Sequence, residues 1–115
     1  MAYKISRYQD RKGNVPFATW MTTLRKKQRE AAARTDNQID RAAAGNFGDH
    51  KFVRDGVWEM RINHGPGYRV YYAIEGKTVI LLFYGGDKNS QPADIAKAIS
   101  YLHDYNARKD CDNHS

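Results

Sequence analysis

The sequence predicts an α+β fold in which an N-terminal helical hairpin packs on a small antiparallel β-sheet and a C-terminal helix follows. The sheet is indicated by three runs rich in β-branched and aromatic residues, at 57–62, 68–74 and 78–84. Gly-bearing gaps of five and three residues separate the runs, which is typical of an antiparallel meander. Apolar residues at helical spacing lie before and after the meander. The chain of 115 residues has the length of one domain, so we expect a single domain over 1–115 with a flexible tail from about residue 107.

The N-terminal elements are predicted by alternation and by helix-start signals. Residues 3–8 alternate between apolar and polar side chains and predict a short first strand. Asn14 as the cap and Pro16 in the first turn predict the start of a helix. The apolar stripe of this helix is Phe17, Trp20, Met21 and Leu24. The basic run 25–29 fits its C-terminal end, where cations complement the helix dipole, although the same run could follow a phosphate backbone.

A second helix is predicted from about residue 30 to residue 44, ended by Gly45. Its stripe consists mainly of small residues, which allow the first helix to approach closely and so predict the hairpin. The members of this stripe are Ala31, Thr35, Ile39, Ala42 and Ala43. Residues 51–54 lead into the meander as the start of its first strand, with a break at residues 55–56. A last helix follows residue 92, and its apolar stripe is Ile95, Ala98, Ile99, Leu102 and Tyr105.

The meander distributes its side chains over two faces, because side chains alternate along a strand. In the first run, Trp58, Met60 and Ile62 share an apolar face, while Glu59 and Arg61 share a polar one. The third run is apolar on both faces. We therefore expect it to be an interior strand that is covered on both sides.

Two arginines are expected to face each other on the polar face of the meander. If the five-residue gap is the whole loop, Ile62 pairs with Tyr68, and Arg61 lies opposite Arg69. Like charges in this position are destabilising, and an anion between them removes the repulsion. The planar guanidinium forks suit a phosphate. The alternatives are two solvated arginines that splay apart, or one arginine paired with Glu59.

The junction between the third run and the last helix is a second candidate anion site. Gly85 and Gly86 would let backbone N–H groups gather around an anion at the helix N-terminus, where Lys88 adds a positive charge. The spacing of a Walker phosphate loop is absent. The alternative is a tight connection capped by Ser90, with Pro92 in the first turn of the helix.

Charge and composition narrow the class of protein. The formal net charge is +6, and residues 1–57 contain 12 Lys and Arg against 6 Asp and Glu, so the first half carries the excess. A basic surface favours a nucleic-acid partner or an acidic protein. The one cysteine, Cys111, excludes an internal disulfide framework and fits a reducing compartment. No apolar segment approaches membrane length and the N-terminus is not a signal peptide, so we expect a cytoplasmic protein with no membrane partner. The four histidines are scattered, so no metal and no other cofactor is expected.

Four motifs stand out along the chain: Gly-Asn-Phe-Gly-Asp at 45–49, Gly-Val-Trp-Glu-Met-Arg-Ile at 56–62, Gly-Tyr-Arg-Val-Tyr-Tyr at 67–72 and Gly-Gly-Asp-Lys at 85–88. Together they resemble the RelE/HigB-like toxins of bacterial type II toxin–antitoxin modules, and most closely the phage-derived branch called addiction-module killer proteins. The resemblance covers nearly the whole chain after the first strand. It implies a RelE/ParE-like α+β domain with two N-terminal helices on an antiparallel sheet.

The resemblance implies a toxin that acts as a ribosome-dependent mRNA endonuclease, or mRNA interferase. In such an enzyme the RNA 2′-hydroxyl attacks the adjacent phosphate and leaves a cyclic phosphate and a 5′-hydroxyl. The family's phosphate-binding residues fall on Arg61, Arg69 and Lys88, and we expect His64 and Asp87 as further catalytic residues. The general acid and base stay open among Glu59, His64, Tyr71, Asp87 and Lys88. Contacts with RNA are expected from Lys51, Arg54 and Tyr71.

The resemblance also implies partners. These are a cognate antitoxin, which in this branch is typically a helix-turn-helix protein, together with the ribosome and mRNA. Two alternatives remain: a ParE-like toxin that inhibits DNA gyrase without cutting RNA, and an inactive module that only binds its antitoxin. RNA cleavage distinguishes the endonuclease from the gyrase inhibitor. Growth arrest on expression distinguishes either toxin from the inactive module.

Overall fold

The computed structural model of the chain describes the backbone of residues 2–113 and the side chains of residues 2–109. Within these residues, five strands and three helices follow one another in a mixed order. They are β1 (Lys4–Arg7), α1 (Pro16–Lys27), α2 (Arg29–Ala43), β2 (His50–Arg54), β3 (Val57–Ile62), β4 (Tyr68–Glu75), β5 (Val79–Asp87) and α3 (Gln91–Asn113).

The five strands form one sheet in the order β1-β5-β4-β3-β2. Strand β1 runs parallel to β5, and the other neighbours are antiparallel. The predicted α+β class is confirmed. The more specific prediction, an N-terminal helical hairpin on a small antiparallel sheet, is wrong, because the sheet has five strands of mixed direction and four of them lie between the second helix and the last helix along the chain. Alternation predicted β1 as a strand but carried no information about its neighbour.

Each face of the sheet is covered by helices and has its own apolar core. Helices α1 and α2 pack on the face that carries Met60, Ile62, Tyr68, Val70, Tyr72, Ile80 and Leu82. Helix α3 packs on the face that carries Val57, Tyr71, Ala73, Leu81 and Phe83. The interior position predicted for β5 is confirmed, because its alternate residues supply both cores.

Strands β2 and β3 are joined by a two-residue turn at Asp55 and Gly56. Both residues have positive φ angles, 53° and 88°, which is the backbone of a type I′ hairpin turn. Residues 51–54 therefore do not begin the same strand as residues 57–62, as the sequence suggested. They form a separate edge strand that pairs with β3.

The helix ends show two further differences. Val15, with no side-chain cap bond, precedes α1, and the backbone N–H of Asn14 instead donates to Asp10 Oδ1 at 2.8 Å, so the predicted Asn14 cap is wrong. Helix α3 continues to Asn113 through most of the stretch predicted as a tail; residues 114 and 115 lie outside the described residues. None of the helices in the described part of the chain is long and apolar enough to cross a bilayer.

Candidate functional site

Arg61 in β3 and Arg69 in β4 lie directly opposite each other, as the loop length predicted. Both bind one carboxylate oxygen: Arg61 Nε donates to Glu59 Oε2 at 2.9 Å, and Arg69 Nε donates to the same oxygen at 3.3 Å. Glu59 is fully buried. The anion between the two arginines is therefore a side chain of the protein itself, and the alternative of pairing with Glu59 holds for both arginines rather than for one.

Helix α3 completes the hydrogen bonding of this carboxylate. Gln91, the first residue of α3, donates Nε2 to Glu59 Oε1 at 3.2 Å. Burying a carboxylate is costly unless its charge and its hydrogen-bonding capacity are both satisfied. Here β3, β4 and α3 all contribute a donor. The hydrogen bond from Arg61 to Glu59 also raises the pKa of Arg61 above its usual value, which favours the charged guanidinium.

A cleft of about 470 Å³ opens beside the arginines, at the tip of the β3–β4 hairpin. Four of the predicted catalytic residues line it: Arg61, His64, Arg69 and Lys88. The hairpin tip is tied to the end of β5, because the backbone N–H of Lys88 donates to the carbonyl of Gly67 at 3.1 Å. Three cationic side chains around one opening favour an anionic ligand, and a phosphate fits the geometry of the guanidinium forks.

The lining side chains differ in how accessible they are. The exposed fractions are 35% for Arg61, 25% for His64 and 15% for Arg69, and Lys88 is exposed. His64 Nε2 lies 4.0 Å from Glu30 Oε2 of α2, so the histidine sits between the cleft and the helix. Arg69 is the most enclosed of the group, and a substitution there disturbs packing as well as charge.

The two glycines at the end of β5 do not form an anion-binding loop. Neither has a positive φ, and both lie within the strand. A Cβ on Gly85 would lie 2.4 Å from the Trp20 ring, and one on Gly86 would lie 1.8 Å from Asp94 Oδ2. These glycines are therefore needed for close approach of α1 on one face and α3 on the other, and the predicted glycine-based anion site is wrong.

Asp87 caps the turn that follows these glycines. Its Oδ1 accepts from the backbone N–H groups of Asn89 and Ser90 at 2.9 and 3.1 Å. These two N–H groups, which a bound anion would need, are thus occupied by the protein's own carboxylate. Ser90, predicted as the cap, instead donates its hydroxyl to buried Asp94. Asp87 lies outside the cleft lining, so the prediction of a catalytic Asp87 receives no geometric support.

The three residues predicted to contact RNA lie in different surroundings. Tyr71 is fully buried and its hydroxyl has no hydrogen-bond partner among the described residues, so it cannot contact RNA in this conformation; burial raises the pKa of its hydroxyl. Lys51 is exposed on β2, in register with Glu59 and on the same face of the sheet. Arg54 lies at the other end of β2 and pairs with Asp55 at 3.1 Å. Only Lys51 is placed near the arginines.

Sequence reasoning missed two polar residues of α3 that support the site, Gln91 and Asp94. Asp94 is 5% exposed, and burial raises the pKa of its carboxyl. Both residues belong to the stretch that resembles the family, but a polar residue in the first turn of a helix is ordinary, so neither position predicts a role at the site. A second cleft of about 550 Å³, between α2 and the end of β3, shares Arg61 with the first and is also lined by Arg34 and Arg41.

The part of the chain that forms the candidate site matches one protein family. Residues 19–101 match the family model described as "Phage derived protein Gp49-like (DUF891)". An uncharacterized protein of Haemophilus influenzae (strain ATCC 51907 / DSM 11121 / KW20 / Rd) is 41% identical over 87 residues, which cover 76% of this chain and 86% of that protein. The matched residues run from α1 into α3 and include every residue that lines the cleft. The chain belongs to the Gp49-like family of phage-derived proteins.

Proposed function

We propose that this protein is the toxin of a toxin–antitoxin pair and that it cuts mRNA on the ribosome. The Gp49-like family is a phage-derived, toxin-like family associated with toxin–antitoxin modules, which supports the first part. The second part depends on one observation: Arg61, His64, Arg69 and Lys88 line a single cleft, and the two arginines are held side by side.

The arginines are oriented to hold a phosphate. Both use Nε to bind Glu59, which leaves their terminal nitrogens for the cleft. Among the described residues, the one further ion pair of these nitrogens is the 3.9 Å approach of Arg61 Nη1 to exposed Asp49. Two guanidinium groups fixed before the substrate arrives stabilise charge that develops on a phosphate, without the cost of reorganising them.

The reaction is a transphosphorylation within the RNA strand. The 2′-oxygen forms a bond to the adjacent phosphorus as its proton passes to a general base. The bond from phosphorus to the 5′-oxygen breaks, and a general acid protonates that leaving oxygen. The products are a 2′,3′-cyclic phosphate and a 5′-hydroxyl. Arg61 and Arg69 bind the non-bridging oxygens throughout.

We propose that two of the five candidates serve as the general acid and the general base. Glu59 is buried with three donors on it, Tyr71 is buried, and Asp87 caps a turn. His64 and Lys88 remain, and both line the cleft. Histidine is the side chain that exchanges protons most readily near neutral pH, so we assign it as the base. Lys88, as a protonated amine, is the acid. Lys51 on the neighbouring strand contributes to binding of the RNA backbone.

The test is a cell-free translation reaction with a defined mRNA, in which the new mRNA ends are mapped. Arg69→Ala and Lys88→Ala should each lower the cleavage rate by about a hundredfold or more, because Arg69→Ala removes a group that stabilises transition-state charge and Lys88→Ala removes the general acid. Because Arg69 is enclosed, urea unfolding of Arg69→Ala must show that the variant is folded. Lys88 is exposed, and its variant should keep the parent stability.

Lys12→Ala is the matched control, since it removes one positive charge from the exposed β1–α1 loop and not from the cleft. Cuts that require ribosomes, persist in Lys12→Ala and vanish in the two cleft variants would establish the endonuclease and its site. Intact mRNA together with inhibition of the DNA supercoiling activity of gyrase would show that the protein is a gyrase inhibitor and not an endonuclease. Intact mRNA, uninhibited gyrase and normal growth would indicate that the protein is an inactive module that only binds its antitoxin.

A further inference from the structure

The second cleft, of about 550 Å³ between α2 and the end of β3, has no part in the proposed reaction. Arg61, Ile62 and Asn63 line both this cleft and the cleft at the hairpin tip, so the two meet along the end of β3. Its volume is within the range of sites that bind small molecules. A strand bound at the arginine pair can therefore continue past Arg61 into the second cleft.

One face of α2 forms a wall of the second cleft. Four lining residues recur at intervals of four, three and four, which places them on one side of the helix. They are Glu30, Arg34, Asn37 and Arg41. Arg34 Nη2 donates to Glu30 Oε1 at 3.2 Å. Among the described residues, the side chains of Asn37 and Arg41 have no hydrogen-bond or ion-pair partner, and both are exposed. Their polar groups are therefore available to a ligand.

The Gly-Asn-Phe-Gly-Asp motif at 45–49, to which the proposed reaction gives no role, supplies Asp49 to the lining. Gln38 of α2 donates Nε2 to the carbonyl oxygen of Phe47 at 2.9 Å. A Cβ on Gly48 would lie 2.5 Å from that same nitrogen, so the glycine allows the motif to pack directly on α2. Asp49 Oδ1 lies 3.9 Å from Arg61 Nη1. The motif therefore fixes the position of α2 relative to the arginine pair.

The side chains of the second cleft suit a nucleobase. Asn37 and Asn63 each carry a donor and an acceptor on one planar amide, which is the pattern that binds the edge of a base. Asn63 is also exposed and has no side-chain partner among the described residues. The planes of guanidinium groups can stack on bases, and Arg34, Arg41 and Arg61 all line the cleft. An unstacked base therefore meets both stacking groups and edge contacts here.

We propose that the second cleft binds the nucleobase adjacent to the phosphate held by Arg61 and Arg69. Asn37 and Asn63 bind the edge of this base, and Arg41 binds the next phosphate of the same strand. These contacts determine at which sequences the RNA is cut. The identity of the strand as mRNA rests on the proposed endonuclease, whereas the binding of single-stranded RNA with a base preference does not.

An acidic protein segment is the other ligand that a group of arginines attracts. The charges of the cleft favour RNA. Glu30 and Asp49 lie in the lining, and each forms an ion pair with one of its arginines. Arg41 is the one lining arginine without an ion-pair partner among the described residues. The two carboxylates would repel further carboxylates of an acidic segment, whereas the neutral edge of a base meets no such repulsion.

The binding test uses the full chain and short single-stranded RNAs with methylated 2′-oxygens, which cannot undergo transphosphorylation. The RNAs differ in the identity of one base at a time, and amide NMR shifts follow binding. We expect shifts in α2 around Asn37 and Arg41 together with shifts at the hairpin tip. The parent should prefer one base at one position by about fivefold or more, which is the discrimination that good edge contacts provide.

Two substitutions separate the base contact from the phosphate contact. Asn37→Ala should reduce the base preference to about twofold or less, because it removes an edge contact. Arg41→Ala should weaken binding of all the RNAs alike and should lower the salt dependence of binding by about one phosphate contact. Asn106→Ala and Arg29→Ala are the matched controls, since each removes the same kind of exposed side chain from a helix but not from either cleft. Both should keep the preference of the parent. Alanine favours helix, so all four variants should fold.

The cell-free translation reaction then tests whether the same contacts select the cut sites. Asn37→Ala should cut at a broader set of sequences than the parent, and Asn106→Ala should keep the pattern of the parent. RNA binding with a base preference but without cleavage would contradict the endonuclease and keep this site. Cleavage at unchanged sequences in Asn37→Ala would overturn this proposal and keep the endonuclease.

The binding measurements can also overturn the proposal on their own. Shifts confined to the hairpin tip, with none in α2, would show that the strand does not enter the second cleft. A parent without a base preference, or an equal preference in Asn37→Ala and the parent, would show that the amide does not contact a base. A glutamate-rich peptide that shifts α2 where the RNAs do not would assign the cleft to an acidic protein segment.

Discussion

Two guanidinium groups side by side repel each other, and in this protein Glu59 lies between them. Its carboxylate is fully buried and accepts hydrogen bonds from Arg61, Arg69 and Gln91. The trio of charged residues keeps one net positive charge, so the cleft still attracts an anion. The carboxylate therefore does two things at once: it makes the arginine pair stable, and it fixes each guanidinium at Nε.

Replacing Glu59 with alanine should lower the free energy of unfolding by about 3 kcal/mol, because it leaves two neighbouring cations without their buried counter-ion. Glu59→Gln keeps the size and one acceptor oxygen and should cost less. Glu30→Ala, which breaks an exposed i,i+4 pair with Arg34, should cost about 0.5 kcal/mol or less. Urea unfolding of the three variants checks the order. A Glu59→Ala variant as stable as Glu30→Ala would show that the arginines do not depend on this carboxylate.

At the scale of residues, the sequence predicted that the two arginines pair across the hairpin, but not which anion lies between them. The five-residue loop placed Arg61 opposite Arg69, since loop length fixes the pairing of a hairpin. Which anion lies between them depends on side-chain rotamers and on Gln91, which is 32 residues further along the chain than Glu59. The prediction that Tyr71 contacts RNA failed for a related reason. Tyr71 lies on the same face of β4 as Arg69 because side chains alternate, but α3 covers that part of the face and buries the ring.

At the scale of elements, helices α1 and α3 both pack tightly against the end of β5, at Gly85 and Gly86. Gly86→Ala should lower the free energy of unfolding by about 1–3 kcal/mol, because the new methyl group overlaps Asp94 and Ser90 of the α3 N-terminus. It should also weaken the site, since the same helix end holds Gln91 against Glu59. Gly65→Ala is the comparison: its Cβ would meet open space, so only the positive φ of 56° opposes it, at about 1 kcal/mol. Thermal and urea unfolding of both variants tests this order, and a greater loss in Gly65→Ala would contradict it.

The periodicity of apolar residues predicted which helices and strands form, but it did not predict which strands pair with each other. The stripes of α1, α2 and α3 and the three runs of the meander all correspond to observed elements. The hairpin between β2 and β3 was missed although Asp55-Gly56 is a favoured type I′ pair, because the flanking residues 51–54 were read as part of one strand. The parallel contact of β1 with β5 is non-local, and no local pattern encodes it.

At the scale of the whole molecule, α3 joins the site to the opposite end of the fold. Its first turn holds Gln91 against Glu59, while its later turns are held to the segment after β1. There, Asp104 accepts a hydrogen bond from the Tyr8 hydroxyl at 2.6 Å and one from Arg11 Nε at 2.8 Å. Burial and the hydrogen bond to Asp104 raise the pKa of Tyr8 to about 12, so this contact persists through neutral and mildly alkaline pH.

Asp104 should make the docking of α3 sensitive to acid. The hydrogen bonds from Tyr8 and Arg11 lower the pKa of its carboxyl below the usual value. A carboxyl whose folded pKa lies below its unfolded pKa stabilises the fold above the unfolded value, about 3.9 for Asp, and loses that contribution as pH falls through the folded pKa. Asp104→Asn should therefore be less stable than the parent at pH 7 and should lose less stability on acidification. Urea unfolding at a series of pH values checks this, with Asp36→Asn, which removes an exposed partner of Arg25, as the control. Parallel pH profiles for the parent and Asp104→Asn would show that this carboxylate does not hold α3 in place.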